Sequence, residues 1–96
     1  MRTMKLGSSD LVVPVIAIGC GNIGYLQDAD AERMVKTALE QGANFFDIAN
    51  IYAKGQSEIN FGKAMHWNDD LREQVIVESK CGMVRSYEGG VKRNIA

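Results

Sequence analysis

The chain has 96 residues, 46% hydrophobic and 24% charged, with a formal net charge of -1. That length supplies one domain or less, since domains run about 100–150 residues, and that charge gives no electrostatic case for a nucleic-acid or polyanion partner. The N-terminal "MRTMKLGSSD" has no apolar signal-peptide core, no apolar run nears the roughly 20 residues of a membrane span, and Cys20 and Cys81 lack metal-ligand spacing. A reduced, soluble, cytoplasmic protein is the expectation, with no membrane partner.

In chain order, "RTMKL" and "LVVPV" flank the turn formers "GSSD", which predicts a β-hairpin over Arg2 to Val15. Pro14 lacks an amide donor and so belongs on an edge. "VIAIGC" reads as a short buried strand ending near Gly19. A helix follows from about Asp30 to Gln41. Ala31, Met34, Val35, Ala38 and Leu39 share one face at helical spacing, while Glu32, Arg33, Lys36 and Glu40 point away. Asp28 or Asp30 suits its N-cap, and Gly42 the position just past its end.

"ANFFDI" is the second strand, short and evenly apolar. Ser57 is placed to cap a second helix, with Glu58 favourable in its first turn and Ile59, Phe61 and Met65 as apolar contacts. "DDLRE" adds a helical turn, and "QVIVESK" is the third strand. From 83 to 96 the pattern fades into an expected loop or frayed end. The order is a hairpin (1–15), then β-α-β-α-β (16–82). Strands alternating with helices imply an α/β fold with a parallel sheet.

"GCGNIG", Gly19 to Gly24, matches G-x-G-x-x-G after a strand. A dinucleotide fingerprint needs its helix to begin within the glycine turn, so that amides face the pyrophosphate. Here "YLQDAD" intervenes. The plainer expectation is a turn whose glycines tolerate positive φ.

Asp47 ends the second strand, Tyr52 lies in the loop after it, and Lys80 ends the third. Carboxyl ends of parallel strands are where α/β barrels place their chemistry. A phenol, with an ordinary pKa of about 10, is a poor acid at neutrality unless a nearby cation favours its ionised form. A carboxylate would hold that cation in place. Asp, Lys and Tyr together make a general acid, a device worth about 10²–10⁴ in rate. Taken singly, each has an ordinary reading: a solvated lysine, a turn-capping aspartate, a tyrosine packed at a loop base.

The blocks "KLGSSDLVVPVIAIGCGNIG", "ALEQGANFFDIANIYAKGQSE", "FGKAM" and "LREQVIVESKCG" resemble successive N-terminal segments of the aldo-keto reductase family, from about Lys5 to Gly82. The resemblance implies the N-terminal part of a (β/α)₈ TIM barrel, with a hairpin plugging its bottom and about three parallel strands and two helices. It implies NADPH-dependent (or NADH-dependent) reduction of a small-molecule aldehyde or ketone. Tyr52 matches the proton donor, Lys80 the lysine that makes that proton easier to lose, and Asp47 the carboxylate paired with the lysine. Gly19, Cys20 and Gly21, with Asp47, would line the cofactor side.

Two departures stand out: Ile48 where many relatives carry His, and Asn50 where an acid is common. The family's catalytic histidine belongs at the end of a fourth strand, and His66, in "AMHW", reads instead as a helix-end residue. A barrel takes about 250 residues, so the chain is expected to be an incomplete and inactive piece of one. The alternatives are a non-enzymatic α/β fragment that self-associates through open strand edges and a small dinucleotide-binding module built on "GCGNIG".

Overall fold

The computed structural model describes residues 1–66, 68–85 and 91–93, with side chains described through Met83. The hairpin forms as expected: β1 (Thr3–Lys5) pairs antiparallel with β2 (Val12–Pro14), and Pro14 stands opposite Thr3 in a two-stranded sheet. Val13 and Pro14 are buried, whereas β1 is exposed throughout. A Cβ at Gly42 would lie 3.4 Å from Met1 Cβ. This contact sets the hairpin near the connection entering the central strand, at the end of the sheet away from Asp47.

The central layer is three parallel strands in the order β3 (Ile18–Gly19), β4 (Phe45–Asp47) and β5 (Ile76–Glu78). β4 lies between its partners with Gly19 and Glu78 flanking Asp47. Side chains alternate faces along a strand. Phe46 is therefore free to enter the helix-facing core, where its ring meets Phe61 at 5.0 Å between centroids and a 50° tilt. Phe45 and Asp47 occupy the other face.

Two crossovers supply the helical layer. Helix α1 (Asp28–Glu40) buries Ala31, Val35 and Ala38, with Met34 and Leu39 packed at the margin, the face that its spacing predicts. It starts at Asp28, earlier than expected, and its N-cap is Gln27 without a side-chain bond. Asp28 and Asp30 lie instead in the first turn, where their charges favour the helix's positive end. Gly42, with φ of +84°, takes the left-handed position beyond the helix.

Helix α2 (Gln56–Ala64) also departs from expectation at its start. Gly55 is the N-cap, and Ser57 sits inside the first turn, fully buried. Phe61 and Met65 join the core, while Ile59 is half exposed. Helix α3 (Asp69–Gln74) is capped by Asn68, whose Oδ1 accepts the Leu71 amide at 3.1 Å.

The expected loop or frayed end after residue 82 is partly strand. β6 (Met83–Arg85) pairs antiparallel with β7 (Val91–Arg93). The backbone bonding of this pair outweighs the weak local pattern, which is polar apart from Met83, Val84 and Val91. Residues 86–90 and 94–96 of that expectation lie outside the described residues. No helix among the described residues is long and apolar enough to cross a membrane.

Candidate active site at the strand ends

The ladder continues past the regular strands. The Ile48 amide donates to the Glu78 carbonyl at 2.7 Å, and the Asn50 amide to the Lys80 carbonyl at 3.2 Å. This extension carries Lys80 alongside Asp47. The Lys80 ammonium donates to Asp47 Oδ1 and to the Ile48 carbonyl, the latter at 2.8 Å. It also lies 5.2 Å from the centre of the Tyr52 ring, over its face. Asp47, Tyr52 and Lys80, separated by up to 33 positions, thus meet at one place.

Electrostatically the lysine is the best-defined member. Its hydrogen bond to Asp47 holds its pKa above the ordinary 10.5; desolvation opposes this, and the charge of Asp47, then Tyr52, add to the rise. The ammonium is therefore a firm cation at neutral pH. Glu78 Oε1 stands 4.0 Å from the same nitrogen. Sequence reading passed over Glu78, yet its spacing two residues before Lys80 puts both on one strand face.

The expected cofactor side divides. Gly19 is exposed and Gly21 half-buried, and a Cβ at either would meet nothing within 4 Å. They leave an open stretch of backbone next to Asp47. The Cys20 side chain does not join that stretch. Its thiol is fully buried in the core, and burial, followed by the nearby Asp47 charge, pushes its pKa up to about 11. Cys20 contributes its amide, which donates to the Asp47 carbonyl at 2.9 Å.

The glycine run is not the N-terminus of a helix. Ile23–Tyr25 makes a 3₁₀ turn, and α1 begins only at Asp28. Nor do Gly19, Gly21 or Gly24 adopt positive φ. Gly24 is required for a different reason. A Cβ there would fall 2.4 Å from Ala53 Cβ and 2.8 Å from the Ser57 nitrogen.

Ala53 belongs to an unusual turn. Directly after Tyr52, Ala53, Lys54 and Gly55 all have positive φ, at 50°, 57° and 92°. Left-handed backbone costs a non-glycine residue about 1–2 kcal/mol, so surrounding contacts must hold Ala53 and Lys54 there. Of the two departures noted in sequence, Ile48 is 3% exposed within the core, and Asn50 Nδ2 donates to the Met83 carbonyl at 3.5 Å. His66 follows Met65, the C-cap of α2, beyond the helix end opposite Tyr52, and its Nε2 pairs with Glu32 Oε1 at 3.0 Å. Among the described residues no group of His, Cys, Asp and Glu is placed to hold a metal ion.

The parallel sheet thus carries helices along one face and a Lys–Asp–Tyr cluster at its carboxyl ends. The Aldo/keto reductase family matches residues 15–96, and the chain belongs to that family. Aldo-keto reductase AFTS1 of Alternaria alternata is 34% identical over 84 residues, covering 80% of this chain and 23% of the relative. The NADH-specific methylglyoxal reductase of Escherichia coli (strain K12) is 34% identical over 98 residues, covering 95% and 29% respectively.

Among solved structures, the holo form of aldo-keto reductase AKR11C1 from Bacillus halodurans superposes with a TM-score of 0.80 at 32% identity. It covers 98% of this chain and 30% of its own. These neighbours are (β/α)₈ barrels, and this chain is a partial barrel. It spans between 23% and 30% of the length of these relatives.

Proposed function

We propose that this chain furnishes the proton-donor corner of a reductase that converts aldehydes or ketones to alcohols with a reduced nicotinamide cofactor. The observation that carries the reading is the Lys80 ammonium, gripped by Asp47 and the Ile48 carbonyl and lying over the Tyr52 ring. The cofactor, NADPH or NADH, supplies the hydride. The open stretch at Gly19 and Gly21 and the Cys20 backbone would lie along its ring, next to Asp47.

The chain's own residues handle the other half of the reaction. As negative charge builds on the carbonyl oxygen, Tyr52 gives it the phenolic proton. The Lys80 cation stabilises the phenolate left behind, and Asp47 keeps that cation charged and in place. Alcohol oxidation runs the same path in reverse, with the phenolate accepting the proton. Full turnover belongs to a closed barrel, because the remaining strand ends build the substrate and phosphate contacts.

Tyr52→Phe in the complete barrel removes the proton donor while leaving the ring. Carbonyl reduction, followed by loss of reduced-nicotinamide absorbance, is expected to fall at least about 10²-fold, with cofactor binding retained. Unchanged turnover in that variant would overturn the assignment. Lys80→Met is expected to be severely impaired for the same reason.

A further inference from the structure

We propose that Ser57 is a positioning residue of this site. It ties the strand-end loop Gly21–Gly24 to the turn bearing Tyr52, so that the cofactor-side wall and the proton donor are held as one unit. The inference rests on the proton-donor reading of Tyr52 and adds to it a residue outside the Asp–Lys–Tyr cluster.

Ser57 is 0% exposed in the first turn of α2. Its Oγ accepts the Gly24 amide at 3.1 Å and donates to the Gly21 carbonyl at 3.4 Å, reaching back 33 and 36 positions in sequence. One turn on, buried Asn60 repeats the pattern. Its Nδ2 donates to the carbonyls of Ile23 at 3.0 Å and Leu26 at 3.3 Å, and its Oδ1 accepts from Gln56 Nε2 at 2.8 Å. Helix packing by itself asks for apolar side chains here. Serine and asparagine are poor helix-interior residues, because they compete for backbone hydrogen bonds. Both are spent on the loop.

The contact is also steric. Gly24, Ala53 and Ser57 converge so closely that a Cβ on Gly24 has no room. Ala53 is the first left-handed residue after Tyr52. On its other side, the loop is fixed to the site through the Cys20 amide on the Asp47 carbonyl. A closed circuit follows: Asp47 to Cys20 and Gly21, across Ser57 to Ala53, and back through Tyr52 and Lys80 to Asp47. Displacing one member displaces the phenol relative to the ammonium.

Amide hydrogen exchange and NMR of the full chain test this. In the native chain the Gly24 amide is expected to be protected on the scale of Phe46. In Ser57→Ala, Gly24 exchange accelerates at least tenfold while Phe46 keeps its protection. Tyr52 ring resonances shift, and the Tyr52–Lys80 contact weakens. Ser57→Thr, which keeps the hydroxyl, restores both.

Free exchange at Gly24 in the native chain overturns the tether without any variant, so the proposal stays testable if Ser57→Ala fails to fold. Unmoved Tyr52 signals in Ser57→Ala reduce Ser57 to a brace and overturn the positioning role. The two readings separate cleanly. A tether that passes these tests beside a fully active Tyr52→Phe barrel removes only the proton-donor reading. An inactive Tyr52→Phe beside unmoved Tyr52 signals in Ser57→Ala removes only the positioning role of Ser57.

Discussion

Ser57 and Asn60 are 0% and 4% exposed, with their polar atoms bonded to neighbouring backbone, while the side chains of Asp47 and Lys80 are 39% and 43% exposed. The first pair carries no charge and is sealed. The second is charged and open to solvent on one side. Burial makes an unmet hydrogen bond expensive, which suits groups whose task is to hold a loop still. Partial exposure lets a charge exist without a large desolvation penalty, and lets a reacting molecule reach it. Stability is thus expected to reside in the sealed pair and chemistry in the open one.

Gly24→Ala attacks the sealed region most directly. Its new methyl meets Ala53 and the Ser57 backbone, and overpacking of this kind costs roughly 1–3 kcal/mol or more. We expect about 3 kcal/mol in urea unfolding; a change below about 1 kcal/mol would show the convergence to be loose. Alkaline pH is the next largest perturbation. Cys20 keeps its proton to about pH 11 when folded, against 9.0 for the free thiol. Its contribution is complete below pH 9.0 and is lost as pH rises toward 11, a fall of roughly 2–3 kcal/mol at about 1.4 kcal/mol per pKa unit. Lys80, raised above 10.5, acts in the same direction, since its ion pair holds below 10.5 and dissolves as pH climbs through the folded value. Urea midpoints at pH 8 and pH 10.5 measure chiefly the Cys20 share, since most of the Lys80 loss lies above that range, and Cys20→Ala flattens most of the slope.

Ser57→Ala, which orphans the Gly24 amide and the Gly21 carbonyl, is expected to cost about 2 kcal/mol. Asp47→Asn is the mildest in this respect. A half-exposed ion pair contributes under about 1 kcal/mol, so its unfolding midpoint should barely move while reduction by the complete barrel collapses. If Asp47→Asn proves more destabilising than Ser57→Ala, the division between holding and reacting residues is wrong.

Much of this arrangement was legible in the residues. The 3.6-residue spacing of Ala31, Val35 and Ala38 gave the buried face of α1, and the short, evenly apolar run of "ANFFDI" gave a buried strand that ends on a carboxylate. The meeting of Asp47, Tyr52 and Lys80 followed once the strands were taken as parallel. The tether was not legible. A serine before a glutamate at the start of a helix reads as a cap, because local sequence cannot show that its partner lies 33 residues upstream. Likewise the glycines of "GCGNIG" suggested special φ, whereas Gly24 answers to a methyl group from a distant turn. Glu78 was hidden by its setting in an apolar strand. The pairing of β6 with β7 escaped because strands this short have little pattern of their own.

The grip on Lys80 has a consequence in donor arithmetic. An ammonium carries three hydrogens; Asp47 takes one and the Ile48 carbonyl a second, leaving one hydrogen with Glu78 Oε1 4.0 Å and the Tyr52 ring centre 5.2 Å from the nitrogen. With two of its three directions fixed, the ammonium is held in one orientation at the strand ends. A guanidinium, planar and with its hydrogens in a fork, cannot distribute them this way, and arginine at position 80 would keep the charge yet lose the aim.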